Sequence, residues 1–241
     1  MIMINKVLNK IKQMNQPAVQ TLDDEYLAWL GFANAGMLNP GNPFCMEEAI
    51  KNIASDNPIV EIGSFCGLST NVISYLLQKH GKSNKIITSD RWIFEGAENG
   101  GNLGGSKLEH KEYREYVMES FKRNINFFSK DNVPYPIEVF SDEFFEKWGK
   151  EEHTKDIFDR EIKLGGPISF AYVDGNHTYE FSKRDFTNID RHLEIGGYIL
   201  FDDSSDFSQF GCALLMKELK KDLRYKLIHK NPNYLFQKIG E

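Results

Sequence analysis

The stretch 59-IVEIGSFCGLSTNVISYLL-77 decides how the rest of the chain is read. Ile59, Val60 and Ile62 surround one acid, Glu61, in the short apolar pattern of a buried strand. Gly63 and Gly67 bracket a tight turn, and an amphipathic run follows over 71–79. A strand passing through such a turn into a helix is a cradle for nucleotide-like ligands, because the first turn of a helix offers free N–H groups. The glycine spacing selects among them. A dinucleotide fingerprint requires G-x-G-x-x-G, but Ser64 and Phe65 follow Gly63 and the next glycine is Gly67. No G-x-x-x-x-G-K-[ST] is present either. The pattern that stands is E-x-G-x-x-x-G-x-S, from Glu61 to Ser69.

Outward from this stretch, short apolar runs alternate with amphipathic ones. Strands are expected at 59–62, 85–89, 137–140, 168–173 and 198–201, with helices at 71–79, 113–128, 143–148 and 181–192. That alternation predicts an α/β fold, a Rossmann-like doubly wound and mostly parallel sheet. A helix over 211–222 precedes two strand-like runs, 225–229 and 234–238, separated by the turn signal 230-KNPN-233. They predict a C-terminal antiparallel hairpin. Upstream, helical patterns at 4–14, 22–37 and 45–55 form an N-terminal helical cap over 1–57, with the main domain at 58–241. The polar, glycine-rich segment at about 91–112 is too long for an ordinary connection and reads as a lid-like insertion.

Composition narrows the class. The 241 residues are 41% hydrophobic and 13% aromatic, enough for a sizeable core and against disorder. A net charge of -6 without a long basic run disfavours nucleic acid as a partner. Cys45, Cys66 and Cys212 are odd in number and far apart, which fits reduced thiols in a cytoplasmic protein. No apolar run is long enough to span a bilayer. Trp29, Leu30 and Phe32 give the cap more apolar surface than a solvated arm needs, so a homo-oligomer is expected.

The segment EIGSFCGLST resembles the first motif of class I S-adenosylmethionine-dependent methyltransferases. It is most similar to metal-dependent O-methyltransferases of the antibiotic-sugar and catechol types. The ligand's ammonium, carboxylate and sulfonium suit an acid, a close backbone turn and a hydroxyl. The resemblance implies that Gly63 and Phe65 line the methionine part, that Ser64 is also cofactor-binding, that Ser69 binds the carboxylate and that Glu61 lies by the amino group. It also implies that Asp90, ending the second strand, pairs with the ribose hydroxyls and that Ser141 and Asp142 contact the adenine. The resemblance also implies Asp174 as a cofactor-binding residue.

Two further stretches carry acids. In 170-FAYVDGNHTYE-180 a buried strand ends at Asp174, and in 198-YILFDDSSD-206 another ends at Asp202 and Asp203. Strands of a parallel sheet point these ends into one crevice, where three carboxylates repel one another unless a cation is present. An all-oxygen set suits Mg²⁺ first, with Ca²⁺ or Mn²⁺ as alternatives. The resemblance likewise implies Asp174, Asp202 and Asp203 as metal ligands. His177 stands where catechol-type enzymes carry a lysine base, a departure that leaves His177 and Asp174 as rival catalytic bases.

The expected activity is therefore Mg²⁺-dependent methyl transfer from S-adenosylmethionine to a hydroxyl of a sugar or glycoside, in a natural product or a surface polysaccharide. A catechol or phenolic small-molecule acceptor and a non-catalytic S-adenosylmethionine-binding module are the alternatives. An NAD-dependent oxidoreductase is disfavoured by the failed fingerprint. Trp92, Phe94 and Tyr113 could face a sugar ring or belong to the core.

Overall fold

The computed structural model describes residues 18–94, 97, 99–206 and 208–241. The helix expected at 4–14 lies outside the described residues. In chain order the elements are α1 (Glu25–Ala33), α2 (Asn42–Asn52), β1 (Ile59–Ile62), α3 (Leu68–Lys79), β2 (Ile86–Ser89), α4 (His110–Phe128), β3 (Tyr135–Ile137) and α5 (Ser141–Gly149). There follow β4 (His153–Lys155), β5 (Glu161–Lys163), β6 (Ile168–Val173), α6 (Tyr179–Asp190), β7 (Leu193–Phe201), α7 (Cys212–Leu219), β8 (Tyr225–Lys230) and β9 (Tyr234–Lys238).

The main sheet runs β3-β2-β1-β6-β7-β9-β8. Pairing is parallel from β3 to β7, and β9 and β8 close the far edge antiparallel. The doubly wound sheet with its terminal hairpin is thus the expected one. Alternation along the buried strands sorts side chains onto two faces. Val60, Ile62, Ala171, Val173, Ile199 and Phe201 pack under α5, α6 and α7 with Phe144, Trp148, Phe186, Leu215 and Met216. Ile59, Phe170, Tyr172 and Leu200 pack on the other side with Leu30, Met46, Ile50, Ile73 and Leu76. The N-terminal helices α1 and α2 therefore share a core with the sheet.

Two expected strands need correction, and one small sheet is additional. The third strand is Tyr135–Ile137, upstream of the expected 137–140, because Phe140 already serves as the N-cap of α5. Pro136 is tolerated there because β3 is an edge strand. β7 is longer than 198–201, reaching back to Leu193 through Gly196 (φ 92°), with a register irregularity against β6. A separate two-stranded sheet, β4 with β5, was not anticipated. Trp92, one of the aromatics at the insertion, is buried against Phe121 and Cys66 and belongs to the core. Among the described residues, no helix is long and apolar enough to cross a membrane.

Candidate active site

The sheet order reverses between β1 and β6, the position where doubly wound sheets open a crevice. Register fixes what lines it. Ser89, Ile62, Val173 and Phe201 stand in one row across β2, β1, β6 and β7. Asp90, Gly63, Asp174 and Asp202 are each the first residue past that row, so the predicted cofactor turn and the acids emerge side by side.

The turn itself is tight. Gly63 (φ 82°), Phe65 (φ 45°) and Gly67 (φ 85°) are left-handed, and a Cβ on Gly63 would lie 2.0 Å from the Asp174 carbonyl oxygen. Gly67 is the N-cap of α3 and makes no side-chain cap bond, so no capping side chain occupies the first-turn N–H groups of that helix. Ser64 Oγ is buried close to the Glu61 carboxyl and makes no hydrogen bond of good geometry among the described residues. It is a polar atom that a bound ligand could satisfy, which fits a polar cofactor at this turn.

Three expected cofactor contacts are already engaged within the protein. Glu61 is fully buried and accepts hydrogen bonds from the Ser69 and Thr70 hydroxyls, so Ser69 faces Glu61 with its side chain. Asp90 Oδ2 accepts from the N–H groups of Ser64 (2.7 Å) and Phe65 (3.0 Å), and Oδ1 from Trp92 N–H (2.6 Å). Asp90 therefore braces the turn. Ser141 and Asp142 open α5, past the end of β3, where Asp142 meets Arg184 at 2.9 Å.

Burial pushes the Glu61 carboxyl up to about 7, the two hydroxyls offsetting only part of that cost. Folding then takes up a proton between the ordinary carboxylate range and pH 7, so wild-type stability falls as pH rises through that window. Glu61→Gln, which cannot ionise, is expected to gain on wild type by up to roughly 3 kcal/mol between pH 4.5 and pH 8. Thermal melts of both proteins across this range check the difference, and a pH-independent gap would remove the assigned burial cost.

The acids divide into one turned inward and two at the crevice. Asp202 is buried; its Oδ2 accepts from Tyr172 Oη (2.8 Å) and its Oδ1 from the Asn233 amide and from Asp203 N–H (2.9 Å). Asn42 Nδ2 donates to Tyr172 Oη (3.2 Å) and Asn233 Nδ2 donates to Asn42 Oδ1 (3.0 Å), which closes a buried ring of four residues. Asp174 is held well above the usual carboxylate range by burial, then by repulsion from Asp202, Asp203 and Glu61. Asp203, at φ 49°, is also raised, by burial and then Asp202, with His177 opposing. His177 Nε2 lies 3.6 Å from Asp203 Oδ2, and its ring packs against Phe210 at 4.7 Å between centroids.

This mutually repelling set matches a hard cation in charge and donor type. It does not form a closed cage: among the described residues no group of three or more His, Cys, Asp or Glu side chains is arranged to hold a metal ion. The reason is local, since Asp202 points its oxygens at Tyr172 and Asn233. Asn42, Tyr172 and Asn233 went unrecognised in the sequence, where nothing marks an asparagine as the partner of an acid far along the chain. A cavity of about 210 Å³ on the hairpin side, lined by Gln20, Asp206, His229 and Lys230 among others, does not reach Gly63 or Asp174.

No curated protein matches this sequence. The model of the methyltransferase domain family matches residues 60–204, which run from β1 through the Asp202–Asp203 pair. The chain belongs to the methyltransferase domain family. Solved structures resemble this methyltransferase over nearly its whole length. An O-methyltransferase from Bacillus cereus in complex with SAH is 13% identical, with 92% of this chain and 94% of that one covered and a TM-score of 0.53. TomG from Streptomyces achromogenes, an O-methyltransferase involved in tomaymycin synthesis and solved with SAM, is 12% identical over 92% and 93%, with a TM-score of 0.55. CalS11, a TDP-rhamnose 3'-O-methyltransferase of calicheamicin biosynthesis, is 16% identical over 83% and 80%, with a TM-score of 0.53. These likenesses establish the class I methyltransferase fold for the present chain.

Proposed function

We propose that this methyltransferase moves a methyl group from S-adenosylmethionine to a hydroxyl of a sugar or glycoside, with a divalent cation, Mg²⁺ first, at Asp174 and Asp203. The observation that carries this reading is the single register row from which Gly63, Asp90, Asp174 and Asp202 all emerge at the sheet's reversal point. SAM and SAH in the TomG and Bacillus cereus structures support the cofactor, and CalS11 supports the sugar acceptor. The first-turn N–H groups of α3 would receive the cofactor carboxylate, and Ser64 Oγ a further polar group.

When bound, S-adenosylmethionine supplies a methyl on a good leaving group, so the chain's part is orientation and proton removal. His177 Nε2 lies 3.6 Å from Asp203 Oδ2 at the edge of the crevice, where its ring can take the acceptor's proton. Asp174, whose carboxyl is raised by burial and then by the neighbouring acids, is the rival base. A cation held by Asp174 and Asp203 would lower the hydroxyl's pKa, while Asp202 stays in its ring behind them. A phenolic acceptor is the second chemistry for the same crevice. The three buried free cysteines agree with a cytoplasmic setting, and a second copy of the chain would cover the exposed Phe32 of α1.

Turnover of sugar acceptors should stop in EDTA and return with Mg²⁺. Asp203→Ala should lose that metal response while binding S-adenosylhomocysteine within about threefold of wild type, a difference under 1 kcal/mol. Full activity of the variant in EDTA would refute the metal role, and turnover confined to catechols would overturn the sugar assignment.

A further inference from the structure

The left-handed backbone at Phe65 is unfavourable for a residue with a side chain, so the turn at 63–67 persists only where its surroundings hold it. Four of its backbone polar groups are held from outside the turn. The N–H groups of Ser64 and Phe65 go to Asp90, and the Phe65 carbonyl accepts from Trp92 Nε1 at 2.9 Å. The Cys66 carbonyl accepts twice, from Asn34 Nδ2 at 3.0 Å and from Asn124 Nδ2 at 2.8 Å. Asn34 follows α1 and Asn124 lies on α4, so two elements outside the strand–turn–helix unit converge on one carbonyl.

Asn34 is fixed in this role. It is buried, its amide nitrogen donates to the Ala35 and Cys66 carbonyls, and its Oδ1 accepts from Asn71 Nδ2 at 2.7 Å. Asn71 in turn accepts from Ser129 Oγ at 2.5 Å. Two carbonyls can only accept, so the amide cannot flip without losing both bonds. The chain Ser129–Asn71–Asn34–Cys66 thereby ties α4, α3 and the N-terminal segment to the turn.

We propose that Asn34 and Asn124 are positioning residues for the methionine half of the cofactor: by clamping the Cys66 carbonyl they keep the 63–67 turn in its binding shape. The N-terminal segment is thus part of the cofactor site. This rests on the function proposed above.

Isothermal titration with S-adenosylhomocysteine and with 5′-methylthioadenosine separates the possibilities, because the second ligand keeps the nucleoside and sulfur but lacks the amino-acid end. Asn124→Asp keeps the side chain's shape and removes its donor; Asn34→Ala removes the other. Each is expected to weaken S-adenosylhomocysteine at least tenfold and to leave methylthioadenosine within twofold of wild type, whereas exposed Asn52→Ala changes neither. If Asn34→Ala does not fold, Asn124→Asp alone decides. Equal losses for both ligands, or no loss for either, would overturn the proposal. A wild-type protein that binds neither ligand would instead sink the cofactor reading beneath it.

Discussion

Asp174→Asn is expected to lower methyl transfer about a thousandfold, within the usual range for loss of a catalytic acid or base, while making the protein more stable. Asp174 stands at the reversal point, one residue past Val173, with its N–H on the Ile62 carbonyl at 2.8 Å. Asparagine keeps the shape and removes the charge, and with it both a candidate base and a candidate cation ligand. The same charge costs stability in the absence of a cation. Burial and the neighbouring Asp202, Asp203 and Glu61 raise the carboxyl in the folded state, so folding takes up a proton. Wild-type stability therefore falls as pH rises from the ordinary carboxylate range through the raised value. In EDTA near neutral pH the variant should gain about 1 kcal/mol, or about 2–4 °C in Tm for a chain of this size, and the gain should vanish near pH 4. Melting curves at both pH values check this. A variant less stable than wild type at neutral pH would show that Asp174 is held by favourable contacts instead.

Gly63→Ala should be the most damaging single methyl group in the site. The added Cβ meets the Asp174 carbonyl oxygen at 2.0 Å, backbone against backbone, at φ 82°. Neither strand end can move without breaking the β1–β6 register, so the loss should reach about 4 kcal/mol or more, with S-adenosylhomocysteine binding abolished. Gly81→Ala is the matched control. Gly81 has φ 62° and nothing within 4 Å of its Cβ position, so only the backbone term of about 1 kcal/mol applies. Chemical denaturation of the two variants gives the comparison, and similar losses for both would mean that the turn yields where the packing says it cannot.

Much of this architecture was legible in the sequence for identifiable reasons. β1 and β6 have the expected bounds because each is a continuous buried run stopped by a glycine or an aspartate. β3 was displaced because apolar character continues past Ile137 to Phe140, while the pairing with β2 ends at Ile137. The first half of β7 was hidden by Gly196 and Gly197, which interrupt the apolar pattern without ending the strand. In the site, Asp90, Asp174 and Asp202 were readable because each ends a strand. Asp202 and Asp203 look equivalent as neighbours in sequence. Only the antiparallel pairing of Tyr234 opposite Phe201 brings Asn233 beside Asp202 and turns that carboxylate inward. Asn34 and Asn42 act on partners 32 and 130 residues away, and local sequence carries no trace of such contacts.

The most direct test of the central claim is isothermal titration of the full chain with S-adenosylhomocysteine in EDTA, followed by Mg²⁺. A one-to-one isotherm is expected for the nucleoside, lost in Gly63→Ala and retained in Asp174→Asn, with a separate Mg²⁺ response lost in Asp203→Ala. An absence of nucleoside binding to the wild-type protein would contradict that claim.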